Sequence, residues 1–329
     1  MENKENLHNS TIDILKAVAI LLVLITHYSW TGEQRQNPVF PFLIDMAVPV
    51  FLIISGYVGA LSFSKRQINS VSEAFTKKQI LRKFIRYTIP FLILVIWEII
   101  DPYIALPQGD KLDKVRWFLC GAQGPGSYYY PLLIQMIFVL PLIYFIIKRK
   151  GEFGLVICLC MNLAYEILQW AYSFSYDSYR LLIFRYIFVI SAGVFAYEFS
   201  LRIRWAVIIS LVGFSFIALT RYGIYSPRII SMWSGTSLFA VMWIIPITIF
   251  LIKNVHISFP PLEYIGRASY NIFLVQMIYY SSSFREKMFG DSASWEVVLI
   301  IGILICIVLG LVFYFIENKI TSYILKRFL

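Results

Sequence analysis

Ten apolar stretches, each close to the length that crosses a lipid bilayer, constrain the fold of this chain more than any other feature of its sequence. A helix needs about 20 apolar residues to cross the hydrocarbon core. Backbone groups in lipid must find their hydrogen bonds within the protein, which favours helices over open strands. The approximate limits of the stretches are 12–31, 39–61, 84–104, 128–147, 154–173, 181–200, 203–220, 231–252, 268–284 and 296–316. The sequence therefore predicts an all-α polytopic membrane protein, a bundle of about ten transmembrane helices.

The composition excludes several classes of protein. Hydrophobic residues make up 59% of the 329 residues and charged residues only 15%, whereas soluble domains average about 45–50% and about 25%. A soluble core could not bury this much apolar surface without leaving large exposed patches. We therefore exclude a soluble enzyme, a nucleic-acid-binding protein and a disordered chain. No loop is long enough to fold independently, so we expect one domain over residues 1–329, with no appended soluble domain.

The distribution of basic residues predicts the orientation in the membrane. If the N-terminus is cytoplasmic, the inner side carries 19 of the 29 Lys and Arg residues and the outer side carries 10. Cytoplasmic loops of membrane proteins carry such an excess. We therefore expect both termini, and the loop at 62–83, to lie in the cytoplasm. A bound anion at the inner face would be a second reason for the excess charge.

The first apolar stretch contains three ionisable residues, Asp13, Lys16 and His27, and such residues inside a membrane are candidates for function. In a helix, the 11 positions from Lys16 to His27 end about 20° beyond three full turns and about 16 Å along the axis. Both residues therefore share one face, and Asp13 can pair with Lys16 one turn away. Imidazole is well suited to accept a proton near neutral pH. The alternative is that His27 is a packing or interfacial histidine.

A basic cluster precedes the third apolar stretch. Arg82, Lys83 and Arg86 lie within five positions, and Lys83 and Arg86 share a helix face. One interpretation is an anchor that contacts the headgroups of membrane lipids. The other is a site for a phosphate-rich ligand at the cytoplasmic mouth of the bundle.

Other polar positions allow fewer conclusions. The segment from Gly266 to Gln276 places polar side chains in the ninth stretch, where they would line a cavity or form interhelical hydrogen bonds. The glycine-rich segment 121–127 lacks the Lys-Ser/Thr pair of a nucleotide-binding loop and is interpreted as a turn. The four cysteines lack metal-site spacing, so we expect no metal. Glu98 and Glu166 receive no role.

Four segments together resemble acyltransferase family 3, a family of bacterial membrane enzymes that acylate surface sugars. These are the opening from Ile12 to Val23 that leads to His27, the Ser-Gly segment Val48 to Tyr57, the basic segment Arg82 to Pro90, and the segment Gly266 to Gln276. The resemblance covers about residues 8–316. Three residues differ from the common family pattern: Lys16 and Lys83, where Arg is common, and Gln276, where many relatives have His.

The resemblance implies an O-acyltransferase in the bacterial cytoplasmic membrane. The donor would be an acyl-CoA, most simply acetyl-CoA, with no permanently bound cofactor. Its phosphates would be held by the basic residues Lys16, Arg82, Lys83 and Arg86. His27 would activate a hydroxyl of the acceptor near the outer face or carry the acyl group itself, with Asp13 and Ser269 in supporting roles. The acceptor would be an extracytoplasmic polysaccharide or lipid-linked glycan.

Two other functions are compatible with the sequence. A transporter or exporter of a glycan or lipid-linked sugar would also need many helices and intramembrane charge. The absence of an obvious internal repeat, which many secondary transporters have, and the shared face of Lys16 and His27 favour the enzyme. A membrane sensor or scaffold without catalysis is the third interpretation.

Overall fold

The structure is a computed structural model, and it describes residues 10–101, 104, 106, 110–230, 232–283, 287–288 and 294–328. Every regular element among these residues is a helix. In chain order the α-helices are α1 Ser10–Thr26, α2 Gly32–Arg35, α3 Val39–Phe42, α4 Ala47–Lys65, α5 Val71–Ala74, α6 Lys77–Ile100, α7 Lys111–Leu119, α8 Tyr129–Lys150, α9 Glu152–Tyr172, α10 Tyr176–Leu181, α11 Ile187–Glu198, α12 Ile203–Arg221, α13 Val241–Asn254, α14 Pro260–Arg267, α15 Ser269–Ser281 and α16 Trp295–Phe328. Short 3₁₀ turns at Ile44–Met46 and Ile183–Tyr186 precede α4 and α11.

The all-α prediction is therefore confirmed for the described residues, but the count of about ten membrane-spanning helices is not. Each predicted stretch contains a helix. Five segments of the described chain are long and apolar enough to cross a membrane: Val39–Lys65, Tyr129–Lys150, Glu152–Tyr172, Ile203–Arg221 and Trp295–Phe328. The remaining apolar helices are shorter or, like α6, carry several charges in their first turns. Apolar stretches in a sequence do not show where a helix begins, and α11 and α13 begin several residues after their stretches do.

The short helix α11 lies in the middle of the bundle against α4. Ten of its 12 residues are buried. Two glycines allow this packing: a Cβ at Gly56 would lie 2.2 Å from the Ile190 carbonyl oxygen, and one at Gly193 would lie 2.0 Å from the Ile53 carbonyl oxygen. Small residues let helix backbones approach closely where water is absent. The two helices therefore form a tightly packed centre around which the others are arranged.

The helix α1 connects the two ends of the candidate site. Its buried residues Ile20, Val23 and Leu24 pack with Phe91 of α6 and Ile272 of α15 in one apolar cluster. Near its start, a Cβ at Gly266 would lie only 1.8 Å from the Asp13 carbonyl oxygen, so the end of α14 presses directly on α1. This packing holds α1 at both ends, with Asp13 and Lys16 at one and His27 just beyond the other.

Candidate active site

A cavity of about 410 Å³ contains every basic residue that the sequence analysis selected. We call it the basic cavity. The cations that line it are Lys16 from α1, Arg66 just after α4, Arg82, Lys83 and Arg86 from α6, and Arg267 from α14. Ser269, the predicted supporting serine, also lines it. The fold thus brings together cations from four separate segments of the chain.

Asp13 neutralises two of these cations. As the spacing predicts, Lys16 Nζ lies 3.1 Å from Asp13 Oδ1. Arg267 Nε, which the sequence analysis did not pair with Asp13, lies 3.2 Å from Asp13 Oδ2. A second carboxylate, Glu263, accepts from Arg267 Nη2 at 3.1 Å. The hydrogen bond that Arg267 donates to Asp13, with the negative charges of both carboxylates, raises the pKa of Arg267. Asp13, only 3% exposed, therefore acts as the buried centre of an ion-pair network at the edge of the cavity.

The other four cations are available to a ligand. Within the described chain, Arg66, Arg82, Lys83 and Arg86 have no carboxylate within ion-pairing distance. Arg82 Nε is buried and finds no hydrogen-bond partner among the described residues. Lys83 Nζ lies 4.8 Å above the Phe63 ring, which holds the ammonium against the cavity wall. Buried donors without acceptors are costly, so this arrangement favours a bound anion such as a phosphate.

At the far end of α1, a buried amide holds His27. His27 follows the last helical residue, Thr26, and the residue is partly buried. His27 Nδ1 lies 2.9 Å from Gln276 Oε1. Gln276 Nε2 donates to the Pro125 carbonyl oxygen at 3.0 Å, and the whole side chain of Gln276 is buried. The glutamine thus connects the histidine to the loop between α7 and α8.

This loop is the glycine-rich segment 121–127, and it packs directly onto the histidine. It is a turn, as predicted, with positive φ at Gly121, Gly124 and Gly126, where glycine has no steric penalty. A Cβ at Gly126 would lie 2.8 Å from the Phe273 ring and 3.5 Å from His27 Cε1. Glu98 Oε2 accepts the Gln123 N–H at 3.1 Å from behind the loop. The sequence analysis gave neither Glu98 nor the loop a role at the site, although three glycines in six positions were a signal.

The loop also lines a second cavity, of about 530 Å³. We call it the loop cavity. Besides the loop itself, its lining includes Arg116, Trp117, Tyr128, Asp177 and Arg180. The Arg180 guanidinium lies 4.1 Å from the centre of the Tyr128 ring. Trp117 Nε1 is buried and has no acceptor among the described residues. Aromatic faces beside hydrogen-bonding groups suit an amphipathic ligand such as a sugar.

His27 itself lines neither cavity, but it lies beside residues of both: its N–H donates to the Val23 carbonyl oxygen at 3.2 Å in the basic cavity, and its ring lies next to Gly126 of the loop cavity. Phe273 lines the basic cavity and meets Gly126, which lines the loop cavity. The consecutive residues Tyr128 and Tyr129 likewise line one cavity each. A thin layer of side chains beside His27 therefore separates a cationic cavity from an aromatic and polar one.

Glu166, the other acidic residue without a predicted role, lies elsewhere. It accepts a hydrogen bond from the Tyr179 hydroxyl, and the Arg185 guanidinium lies 4.1 Å from the centre of the Tyr179 ring. Glu166 lines neither the basic cavity nor the loop cavity. Among the described residues, no group of three or more His, Cys, Asp and Glu side chains could hold a metal ion.

The comparison with protein families identifies the class. The family model described as "Acyltransferase domain", that of acyltransferase family 3, matches residues 9–317. The match covers nearly the whole chain, so the chain belongs to this family, and the resemblance inferred from the four segments is confirmed. It is an acyltransferase with membrane-type helices. Searches of curated proteins and of solved structures found no significant match.

Proposed function

We propose that this protein is a membrane O-acyltransferase that moves an acetyl group from acetyl-CoA to a hydroxyl of an extracytoplasmic polysaccharide or lipid-linked glycan. The observation that supports it most is that His27 lies beside residues of both the basic cavity and the loop cavity. A donor with a charged head and a distant thioester fits such an arrangement. In a continuous helix, the 11 positions from Lys16 to His27 would span about 16 Å.

The basic cavity would hold the donor. Coenzyme A carries its phosphates at one end, and Arg66, Arg82, Lys83 and Arg86 offer unpaired charge there. Arginine binds phosphate oxygens in bidentate fashion, and lysine binds as a point charge. Lys16 would contribute a cation whose position Asp13 fixes. The pantetheine arm would then run along the apolar part of the cavity, past Val23 and Phe273.

The loop cavity would hold the acceptor. Trp117 and Tyr128 offer aromatic faces for sugar rings, and Gln123 and Asp177 offer hydrogen-bonding groups. His27 would take the proton of the acceptor hydroxyl while the hydroxyl oxygen attacks the thioester carbonyl. The new C–O ester bond forms, the C–S bond breaks, and the CoA thiolate leaves with that proton. Transfer in two steps, through an acyl group on His27, would use the same arrangement.

Mass spectrometry of the cell-surface glycan tests this function. Cells with the wild-type protein should carry an acyl mass increment that is missing in cells with His27→Ala, on an equal amount of glycan. Loss of the glycan itself would instead indicate an exporter. His27→Gln separates chemistry from packing. If His27 only packs, Gln should restore most of the activity that Ala loses; if His27 accepts a proton, Gln should be as inactive as Ala. Near-normal acylation by folded His27→Gln would refute the catalytic role.

A further inference from the structure

We propose that Gln276 is a positioning residue that holds His27 as the Nδ1–H tautomer, which leaves the lone pair of Nε2 free to accept a proton. The tautomer follows from hydrogen bonding alone. Only the role of Nε2 in taking the hydroxyl proton rests on the proposed function.

The Pro125 carbonyl determines how the Gln276 amide is oriented. A carbonyl oxygen can only accept a hydrogen bond, so the amide group 3.0 Å from it must be the NH₂ group. The amide oxygen then faces His27 Nδ1 at 2.9 Å. The reversed amide would place two oxygens against each other, in a side chain with no exposure to solvent that could relieve the contact.

The amide oxygen in turn determines the state of the imidazole. An amide oxygen is only an acceptor, so Nδ1 must carry the hydrogen in the bond to Gln276. A neutral imidazole has one N–H, and its second nitrogen then has an unshared electron pair. His27 would therefore accept the proton of the hydroxyl at Nε2 and return it from Nε2 to the thiolate. A histidine in the other tautomer would present a donor at Nε2 and could not begin this step.

The surroundings hold the Pro125 carbonyl in place. Phe273 lies one helical turn before Gln276, and its ring meets the loop at Gly126. On the other side of Pro125, Gly124 packs against α15, and a Cβ there would lie 2.8 Å from the Met277 carbonyl oxygen. Glu98 bonds the loop backbone from the opposite side. The carbonyl is therefore fixed by packing on either side of Pro125, and its direction does not depend on a bound substrate.

Nitrogen NMR of the full chain measures the tautomer directly. The sequence has three histidines, so His8→Gln together with His256→Gln leaves His27 alone in protein labelled with ¹⁵N-histidine and reconstituted in lipid vesicles. At a pH at which the His27 imidazole is neutral, we expect a protonated Nδ1 and an unprotonated Nε2. A protonated Nε2, or two nitrogens averaged by exchange, would overturn the proposal. The measurement needs no substrate.

Variants of Gln276 connect the tautomer to the reaction. Gln276→Met keeps the approximate shape of the side chain and removes both hydrogen bonds, so the preference for Nδ1–H should be lost. Acetyl transfer should fall by about tenfold to a hundredfold, the range seen when a partner that orients a histidine ligand is removed, with little change in the KM for acetyl-CoA. An unchanged tautomer in folded Gln276→Met would contradict the proposal.

Gln135→Met is the matched control. Gln135 also joins two backbone groups by its amide, with Nε2 2.7 Å from the Leu181 carbonyl oxygen and Oε1 3.0 Å from the Ile183 nitrogen. Its loss should lower stability and leave the tautomer of His27 unchanged. If His27 shows the expected tautomer but the wild-type protein transfers no acyl group to any glycan, the proposed function fails and this inference stands.

Discussion

Replacing Gly124 by Ala should disconnect the loop from His27, the proposed proton acceptor. The new Cβ would lie 2.8 Å from the Met277 carbonyl oxygen and 2.6 Å from Ser281 Oγ. The serine can rotate, but the carbonyl belongs to the backbone of α15. An ordinary contact of 3.4 Å requires the loop to move away by about 0.6 Å. A shift of this size would lengthen the adjacent bond from Gln276 to Pro125, now 3.0 Å, beyond the range of a good hydrogen bond.

Gly124→Ala should lower the free energy of unfolding through two effects. The φ of +110° at Gly124 is unfavourable for an L-residue by about 1–2 kcal/mol, and overpacking of the contact adds about 1–3 kcal/mol. Loss of the orienting bond should reduce acetyl transfer at least about tenfold, because misplacement by about 1 Å can cost a hundredfold. The assay follows labelled acetyl from acetyl-CoA to glycan in membranes with equal amounts of folded protein. Binding of acetyl-CoA should be unchanged.

Gly223→Ala is the control for backbone strain. Gly223 also has a positive φ, +70°, but a Cβ there would meet nothing within 4 Å. This variant should lose some stability and keep full activity. If Gly124→Ala matches Gly223→Ala in both acetyl transfer and the tautomer of His27, the loop does not orient the histidine and the reasoning is wrong.

Three further predictions concern the basic cavity and the orientation in the membrane. Arg86→Ala should weaken acetyl-CoA binding by purified protein at least about tenfold, since a charge-assisted bond contributes about 1.5–3 kcal/mol. Lys83→Arg, which keeps the charge, should bind normally. Normal binding by Arg86→Ala would mean that the cluster is a lipid anchor. Asp13→Asn should lower the thermal midpoint of unfolding, by a loss of about 1–3 kcal/mol, because Arg267 loses its buried partner; an unchanged midpoint would show that the network does not stabilise the fold. Cysteines placed in 62–83 should react with impermeant reagents only from the cytoplasmic side, and labelling from outside would reverse the proposed topology.

The sequence was informative wherever one helix carries the information. Lys16 is paired with Asp13 because residues three apart in a helix are neighbours whatever the surrounding fold. Arg82, Lys83 and Arg86 line one cavity because they occupy two turns of α6. The order of short segments along the chain was likewise sufficient to identify the family.

Contacts between distant segments could not be read in this way. Arg66 counted only as part of the positive-inside excess, yet it lines the basic cavity with Arg82 of the next long helix. Glu98 was an intramembrane acid without a partner until the fold placed the backbone of Gln123 beside it. Such pairings depend on how helices pack against one another, which hydropathy along a single chain does not encode.

The amino-acid sequence by itself determined the helical class, the membrane composition and the family, because each depends on composition or on patterns within single segments. Only the tertiary structure decided that Gln276 and Pro125 meet His27, and that the basic cavity and the loop cavity approach each other there. These residues are separated by up to 249 positions. Their contact exists because glycines allow the loop to lie directly on α15, and that approach is a property of packed backbones in three dimensions.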